Sequence, residues 1–169
     1  MFSYRHAFHA GNHADVLKHM VLVASLKHLT EKDAALTVVD THAGAGLYRL
    51  DGDYANTSAE AADGIFKLLA HANSNPATEL APMLQDYLAL VKSFNSGATT
   101  KVYPGSPFIT QQLLRDHDRL KLFELHPTDG RTLNANIAQL EAGRQVAVLN
   151  TDGFEGVKKF IPPPARRAL

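Results

Sequence analysis

Ala35-Leu36-Thr37-Val38-Val39-Asp40, running straight into Thr41-His42-Ala43-Gly44-Ala45-Gly46, decides the fold of this 169-residue chain. Ala35 to Val39 is apolar, partly β-branched and too short for a helix, so it reads as a buried strand. Asp40 ends that strand and a loop of small residues follows. Glycines let a backbone approach a ligand closely. At the carboxyl edge of a parallel sheet, such a loop lies where nucleotide-like ligands bind.

Outward from this loop, strands and helices alternate. An apolar stripe at helical spacing predicts a helix over about Ala14 to Leu29, with Asn12 as its N-cap and Asp15 near its positive end. After the loop, Asn56 to Phe94 is helical in pattern, split by Asn73-Ser74-Asn75-Pro76 into Ala59–Ala72 and Glu79–Phe94. Lys101 to Pro107 is extended. Ser106-Pro107 reads as N-cap and first residue of a helix through Arg115. Leu120 to Phe123 is a second buried strand ending at Glu124, Thr128 to Glu141 a helix, and Gln145 to Leu149 a third strand ending near Asp152-Gly153. Phe154 to Phe160 begins another helix, closed by Pro162-Pro163-Pro164. The alternation predicts an α/β fold with a parallel sheet covered on both faces.

Two ligand classes fail at the loop. A phosphate-cradling P-loop needs Gly-Lys-Ser/Thr, and Gly46-Leu47-Tyr48 offers no lysine. A dinucleotide fingerprint needs a small residue where Arg49 stands and an acid ending the next strand about twenty residues on; the helical stretch intervenes. A methyltransferase pattern does better. Asp40 precedes the Gly44-x-Gly46 loop that would hold the methionine part of a sulfonium cofactor. Glu124 ends the second strand, where an acid would accept both ribose hydroxyls. Asp152-Gly153 follows the third strand, where a polar residue would meet an adenine amine. Each acid alone could merely cap a loop; three in order are far more specific.

Composition sets outer bounds. Hydrophobic residues make up 45% and charged residues 20%, as in a globular domain. Lysine plus arginine and aspartate plus glutamate are 17 each, so the total charge gives no electrostatic footprint for nucleic acid. The chain has no cysteine, which excludes disulfides, thiolate metal sites and thiol nucleophiles. The polar, aromatic start lacks a secretory h-region and no stretch is long enough to span a bilayer, so the expected location is the cytoplasm.

Ser3 to His19 is unusually dense in polar and aromatic groups. His9, His13, Asp15 and His19 invite a metal reading, but no His-Glu-x-x-His pair exists and Asp15 and His19, four apart, are expected to pair with each other or a neighbour. No metal is expected. Lys18 could reach a carboxylate at the sheet edge, while Tyr4 and His6 offer a stacking face and a titratable group.

Tyr4-Arg5-His6, Phe8-His9-Ala10-Gly11-Asn12-His13-Ala14-Asp15-Val16-Leu17-Lys18-His19, Asp40 to Gly46, Tyr103-Pro104-Gly105-Ser106-Pro107, Glu124-Leu125-His126-Pro127 and Asp152-Gly153-Phe154 together resemble one family along the whole chain. It is the bacterial 23S ribosomal RNA adenine-N6 methyltransferases, also labelled as proteins for using external DNA. The resemblance implies the N-terminal part of a Rossmann-like class I S-adenosylmethionine-dependent methyltransferase, with a small helical subdomain inserted over 54–97. It implies S-adenosyl-L-methionine as cofactor and 23S ribosomal RNA, naked or partly assembled, as partner. Tyr4, His6 and Lys18 would line the target-base pocket as catalytic residues. His19, Asp40, His42, Gly44, Gly46, Ser106, Glu124, Asp152 and Gly153 would hold the cofactor.

The chain departs from that family in one respect. The acid-Pro-Pro-aromatic loop, which accepts hydrogen bonds from the target amine, does not occur; Pro162-Pro163-Pro164 follows Ile161 and precedes Ala165. The 169 residues are therefore expected to be a partial methyltransferase domain that binds cofactor weakly and transfers nothing alone. The first strand is expected to show an open apolar edge. A rival expectation is a nucleic-acid-binding protein for uptake or use of external DNA, with a vestigial cofactor site.

Overall fold

Asn12 starts the first helix. In the computed structural model, which describes residues 5–53, 55, 59–75, 80–97, 99–140, 142–164 and 167–169, its side chain accepts the Asp15 N–H at 2.9 Å. That satisfies one of the donors a helix leaves open at its start. Helix α1 (His13–Thr30) buries Asp15, His19, Val23 and Leu26. This line at spacings of four, four and three is one face of the helix. Its first half is polar and its second apolar, so one helix serves a site at one end and a core at the other.

Strand β1 (Thr37–Asp40) begins two residues after the expected Ala35. Leu36 is fully buried, but its N–H donates to Asp118 Oδ1 at 2.8 Å rather than to a neighbouring strand. Strand β2 (Leu47–Arg49), which the sequence pattern misses, pairs antiparallel with β3 (Val102–Pro104), Tyr48 facing Tyr103. Three residues are too few for alternation to show.

Between these two strands lie a 3-10 turn (Glu60–Ala62) and helices α2 (Ile65–Ser74) and α3 (Pro82–Ser93). The expected helix from Ala59 therefore starts late. Gly64 comes so close to Gly11 that an added Cβ would lie 2.0 Å from the Gly11 carbonyl oxygen. The Ile65 N–H donates to that carbonyl at 2.8 Å. Asn56, where the helical pattern begins, and Glu79 lie outside the described residues.

Helix α4 (Ser106–Leu113) is capped by Gly105, not by Ser106. Ser106 is its first residue, and its hydroxyl is taken by Asp40. The helix stops at Leu113, short of the expected Arg115, because the Arg115 N–H and guanidinium both turn to Asp118 at 2.9 Å. Strand β4 (Arg119–Phe123), helix α5 (Pro127–Ala138), strand β5 (Val146–Leu149) and the short helix α6 (Gly153–Val157) complete the order.

Strands β1, β4 and β5 form a parallel sheet in the order β1-β4-β5. The expected open edge on β1 is not found. The Thr37 N–H donates to the Arg167 carbonyl at 3.1 Å, the Val39 N–H to Leu169 at 2.9 Å, and the Leu169 N–H returns to Thr37 at 3.1 Å. Backbone groups beside an apolar strand need partners, and residues 167–169 supply them. Apolar groups gather in two places. Leu26, Leu36, Val38, Leu120, Leu122 and Leu133 pack around the sheet. Val23, Tyr48, Ile65, Tyr87, Val91, Tyr103 and Ile109 join α1 to the helices inserted between β2 and β3. Among the described residues no helix is long and apolar enough to cross a membrane.

Candidate functional site

The carboxyl ends of β1 and β4 lie side by side, which places Asp40 and Glu124 on neighbouring strands. Asp40 Oδ2 accepts the Ser106 hydroxyl at 2.6 Å, and Oδ1 accepts the His42 N–H at 3.1 Å. Desolvation pushes the Asp40 carboxyl up, opposed by those two hydrogen bonds. Asp40 thus fixes the start of its loop and the start of α4 together.

Glu124 closes the same loop from the next strand. Its Oε2 accepts the Gly44 N–H at 2.8 Å, and its Oε1 accepts the His126 N–H at 2.6 Å. A carboxylate has about four lone-pair directions, so each oxygen keeps capacity for a ligand hydroxyl. Gly44 and Gly46 have φ of +62° and +81°, which glycine adopts without strain. A Cβ on Gly46 would also lie 2.8 Å from the Phe108 ring. Tyr48 Oη accepts the Ala45 N–H at 3.1 Å, and the Asn136 amide donates to the Ala45 carbonyl at 2.9 Å.

The start of α1 faces this loop. Asp15 is 1% exposed. Its Oδ2 bonds His6 Nε2 at 2.8 Å and accepts the Gly11 N–H at 3.1 Å, while Lys18 Nζ lies 2.9 Å from its Oδ1. Burial alone would raise this carboxyl, but the hydrogen bond and charge of His6, with His19 and Lys18, bring it well below the usual carboxylate range. His19 does not pair with Asp15. Its Nδ1 bonds the Tyr103 hydroxyl at 2.9 Å, and burial pushes its imidazole down to about 4, although Asp15 pulls the other way. Lys18 likewise stays with Asp15 of its own helix rather than bonding a carboxylate at the sheet edge.

These elements enclose a cavity of about 250 Å³. His6, Lys18 and His19 line it from the N-terminal side; His42, Ala43 and Gly44 from the β1 loop; Glu124, His126 and Asp129 from the β4 side; and Tyr48, Gly105 and Ser106 complete it. Seven of the residues expected to be functional therefore share one cavity. Asp40 supports it through Ser106, and Gly46 packs behind it on Phe108 and Leu133. Asp152 and Gly153 are not part of the lining. Asp152 caps α6 by accepting the Glu155 N–H at 2.9 Å, and Gly153 packs on Thr41. Tyr4 lies outside the described residues.

Three lining groups went unnoticed in the sequence. Tyr48 sits on the missed strand and meets His6 edge-on, ring centroids 5.2 Å apart. Asp129 opens α5 and accepts Arg5 at 2.9 Å, which ties the N-terminal segment across the cavity. His126 lies in the Glu124-Leu125-His126-Pro127 motif, the one available signal, and caps α5. Among the described residues no three His, Cys, Asp or Glu side chains are grouped to hold a metal ion.

A parallel sheet with a glycine loop on the first strand, bonded to the acid ending the next, is the arrangement of nucleotide-binding α/β folds, the methyltransferases among them. Residues 33–169 match the family described as ribosomal RNA large subunit methyltransferase D, RlmJ, and the chain belongs to that family. It is 41% identical over its whole length to ribosomal RNA large subunit methyltransferase J of Escherichia coli (strain K12) and 40% identical to the protein of the same name from Haemophilus influenzae, spanning 57% of each. The crystal structure of protein LPL1258 from Legionella pneumophila superposes with a TM-score of 0.80 at 36% identity, over 94% of this chain and 55% of that one.

Proposed function

We propose that this chain carries the cofactor-binding side of an S-adenosylmethionine-dependent methyltransferase that modifies the N6 amine of an adenine in 23S ribosomal RNA. The observation that carries the reading is the Glu124–Gly44 hydrogen bond, which holds an acid with spare acceptor capacity against a bare-backbone loop. When bound, the cofactor supplies a methyl group on a cationic sulfur. The residues present suit such a group. Glu124 can accept a ribose diol, and the carboxyls of Asp40 and Glu124 favour a cation over an anion at the loop. A cavity of about 250 Å³ is below the roughly 300–1,000 Å³ usual for whole ligands, so it would enclose part of the cofactor. Asp152 and Gly153, one loop away, would meet its outer end, and exposed Phe154, 5.0 Å from the His42 ring, extends the surface between them.

His6 and Lys18, fixed by Asp15, stand on the side where the target base would enter, with Tyr4 preceding them in sequence. Their role is to hold and orient an extruded base, as chemistry on a base requires. The inserted segment 54–97 would form a small helical subdomain on the RNA side. The rival reading, a binder of external DNA with a vestigial cofactor site, is not favoured, because the acid–loop contact is intact and the relatives are named as methyltransferases.

The test is transfer of labelled methyl from S-adenosylmethionine to protein-free 23S ribosomal RNA by this chain extended to the full length of its relatives. Label recovered as N6-methyladenosine is expected. Label on another atom, or none with the extended chain folded, would overturn the reading.

A further inference from the structure

His19 lines the cavity yet is only 5% exposed, and its only hydrogen-bond partner among the described residues is Tyr103. The Tyr103 hydroxyl in turn lies 2.8 Å from the Tyr87 hydroxyl. Tyr103 is on β3, Tyr87 is on α3, and both are fully buried. Among the described residues the Tyr87 hydroxyl bonds Tyr103 alone. Burial pushes both phenols above their ordinary range, so each keeps its proton.

Three buried groups in a row leave few ways to place the protons. If His19 donated from Nδ1 to Tyr103, then either Tyr103 or Tyr87 would hold a buried O–H with no acceptor in the row. A buried donor without an acceptor is costly. The arrangement that satisfies every proton runs one way: Tyr87 donates to Tyr103, and Tyr103 donates to His19 Nδ1. Nε2 must then carry the ring proton. Neutral His19 fits the same picture, since burial, helped by the charges of Lys18 and His6, holds its imidazole down to about 4 against the pull of Asp15.

We propose that Tyr103 and Tyr87 are positioning residues that hold His19 as its Nε2–H tautomer, a neutral donor offered to an acceptor oxygen of the ligand in the cavity. The ligand part of this statement rests on the function proposed above. The tautomer does not. The relay also gives the helices between β2 and β3 a part in the site, since the first donor belongs to α3.

The test uses the 169-residue chain with ¹⁵N-labelled histidine and two-bond ¹H–¹⁵N spectra at neutral pH. His19 should show a protonated Nε2 and an unprotonated Nδ1. In Tyr103→Phe it should become a mixture of tautomers, with folding checked by the amide spectrum. In Tyr87→Phe, where Tyr103 keeps its own proton, the mixture should be smaller. An Nδ1–H tautomer in the unsubstituted chain, or no change in Tyr103→Phe, would overturn the proposal. S-adenosylhomocysteine should bind Tyr103→Phe about tenfold more weakly, the scale of one buried hydrogen bond. If the unsubstituted chain does not bind that probe, the proposed function fails while the spectra still decide the tautomer.

Discussion

Oε2 of Glu124 accepts the Gly44 N–H at 2.8 Å, so the acid ending one strand holds the glycine loop that follows its neighbour. The Asp40–Ser106 bond does the same between the β1 loop and α4. Two carboxylates thereby set the shape of the cavity floor before any ligand enters. Preorganisation of this kind reduces the ordering cost of binding.

Gly153 joins the third strand end to this floor. A Cβ there would lie 2.1 Å from the Thr41 carbonyl oxygen, a backbone atom that cannot swing aside. Gly153→Ala should push α6 away from the β1 loop and lower stability by about 2 kcal/mol, the scale of overpacking. Urea unfolding checks this. A change under about 0.5 kcal/mol would mean that the contact is slack.

Asp15 anchors both His6 and Lys18 and is itself buried. Asp15→Asn keeps the volume but removes the charge. Because His6 and Lys18 are partly exposed, the expected cost is about 2 kcal/mol rather than the larger value of a fully buried pair. His6 ring resonances should shift with it. An unmoved His6 would show that Asp15 does not hold it.

Stability should depend on pH in two windows. His19 is held down at about 4 in the folded chain, mainly by burial, against roughly 6.5 unfolded. The unfolded chain therefore binds more protons between those values, and stability is lost as pH falls from about 6.5 toward 4, by ~3 kcal/mol at most. The depressed Asp15 carboxyl contributes stability that is present above roughly pH 4 and lost below it. His19→Gln should flatten the first window and spare the second. Denaturant titrations at several pH values read both, and an unchanged first window in that variant would assign it elsewhere.

Residues 167–169 cover the edge of β1 through three backbone hydrogen bonds. Deleting them should leave that strand open and raise self-association, visible by sedimentation at rising concentration. A monodisperse deletion variant would show that another feature guards the edge.

Much of this arrangement was legible in the sequence because it rests on strand ends. Asp40 and Glu124 follow short apolar runs, and parallel strands bring such ends together. What escaped was short or long-range. Strand β2 has only three residues, so Tyr48 was hidden with it. Ser106 looked like a cap because serine commonly is one; its hydroxyl instead goes to Asp40, 66 positions away in the chain. Asp129 reaches the site through Arg5, and no local pattern marks such a partner; Tyr103 stands in a family motif, but nothing local pairs it with His19. The family motifs pointed to His6, Lys18 and His19, and folding brings them to one cavity. Asp15 was expected to pair with His19 or a neighbour, but its bond to His6 and the bond of Tyr103 to His19 emerged only from the fold.

The most direct measurement is calorimetric titration of S-adenosylhomocysteine, to millimolar concentration, into the 169-residue chain and its Glu124→Ala variant. One saturable site in the unsubstituted chain, weakened at least about tenfold in a variant that stays folded, is the predicted result; a lost charged hydrogen-bond acceptor is of that size. No saturable binding, or equal affinity in the two chains, would contradict the account.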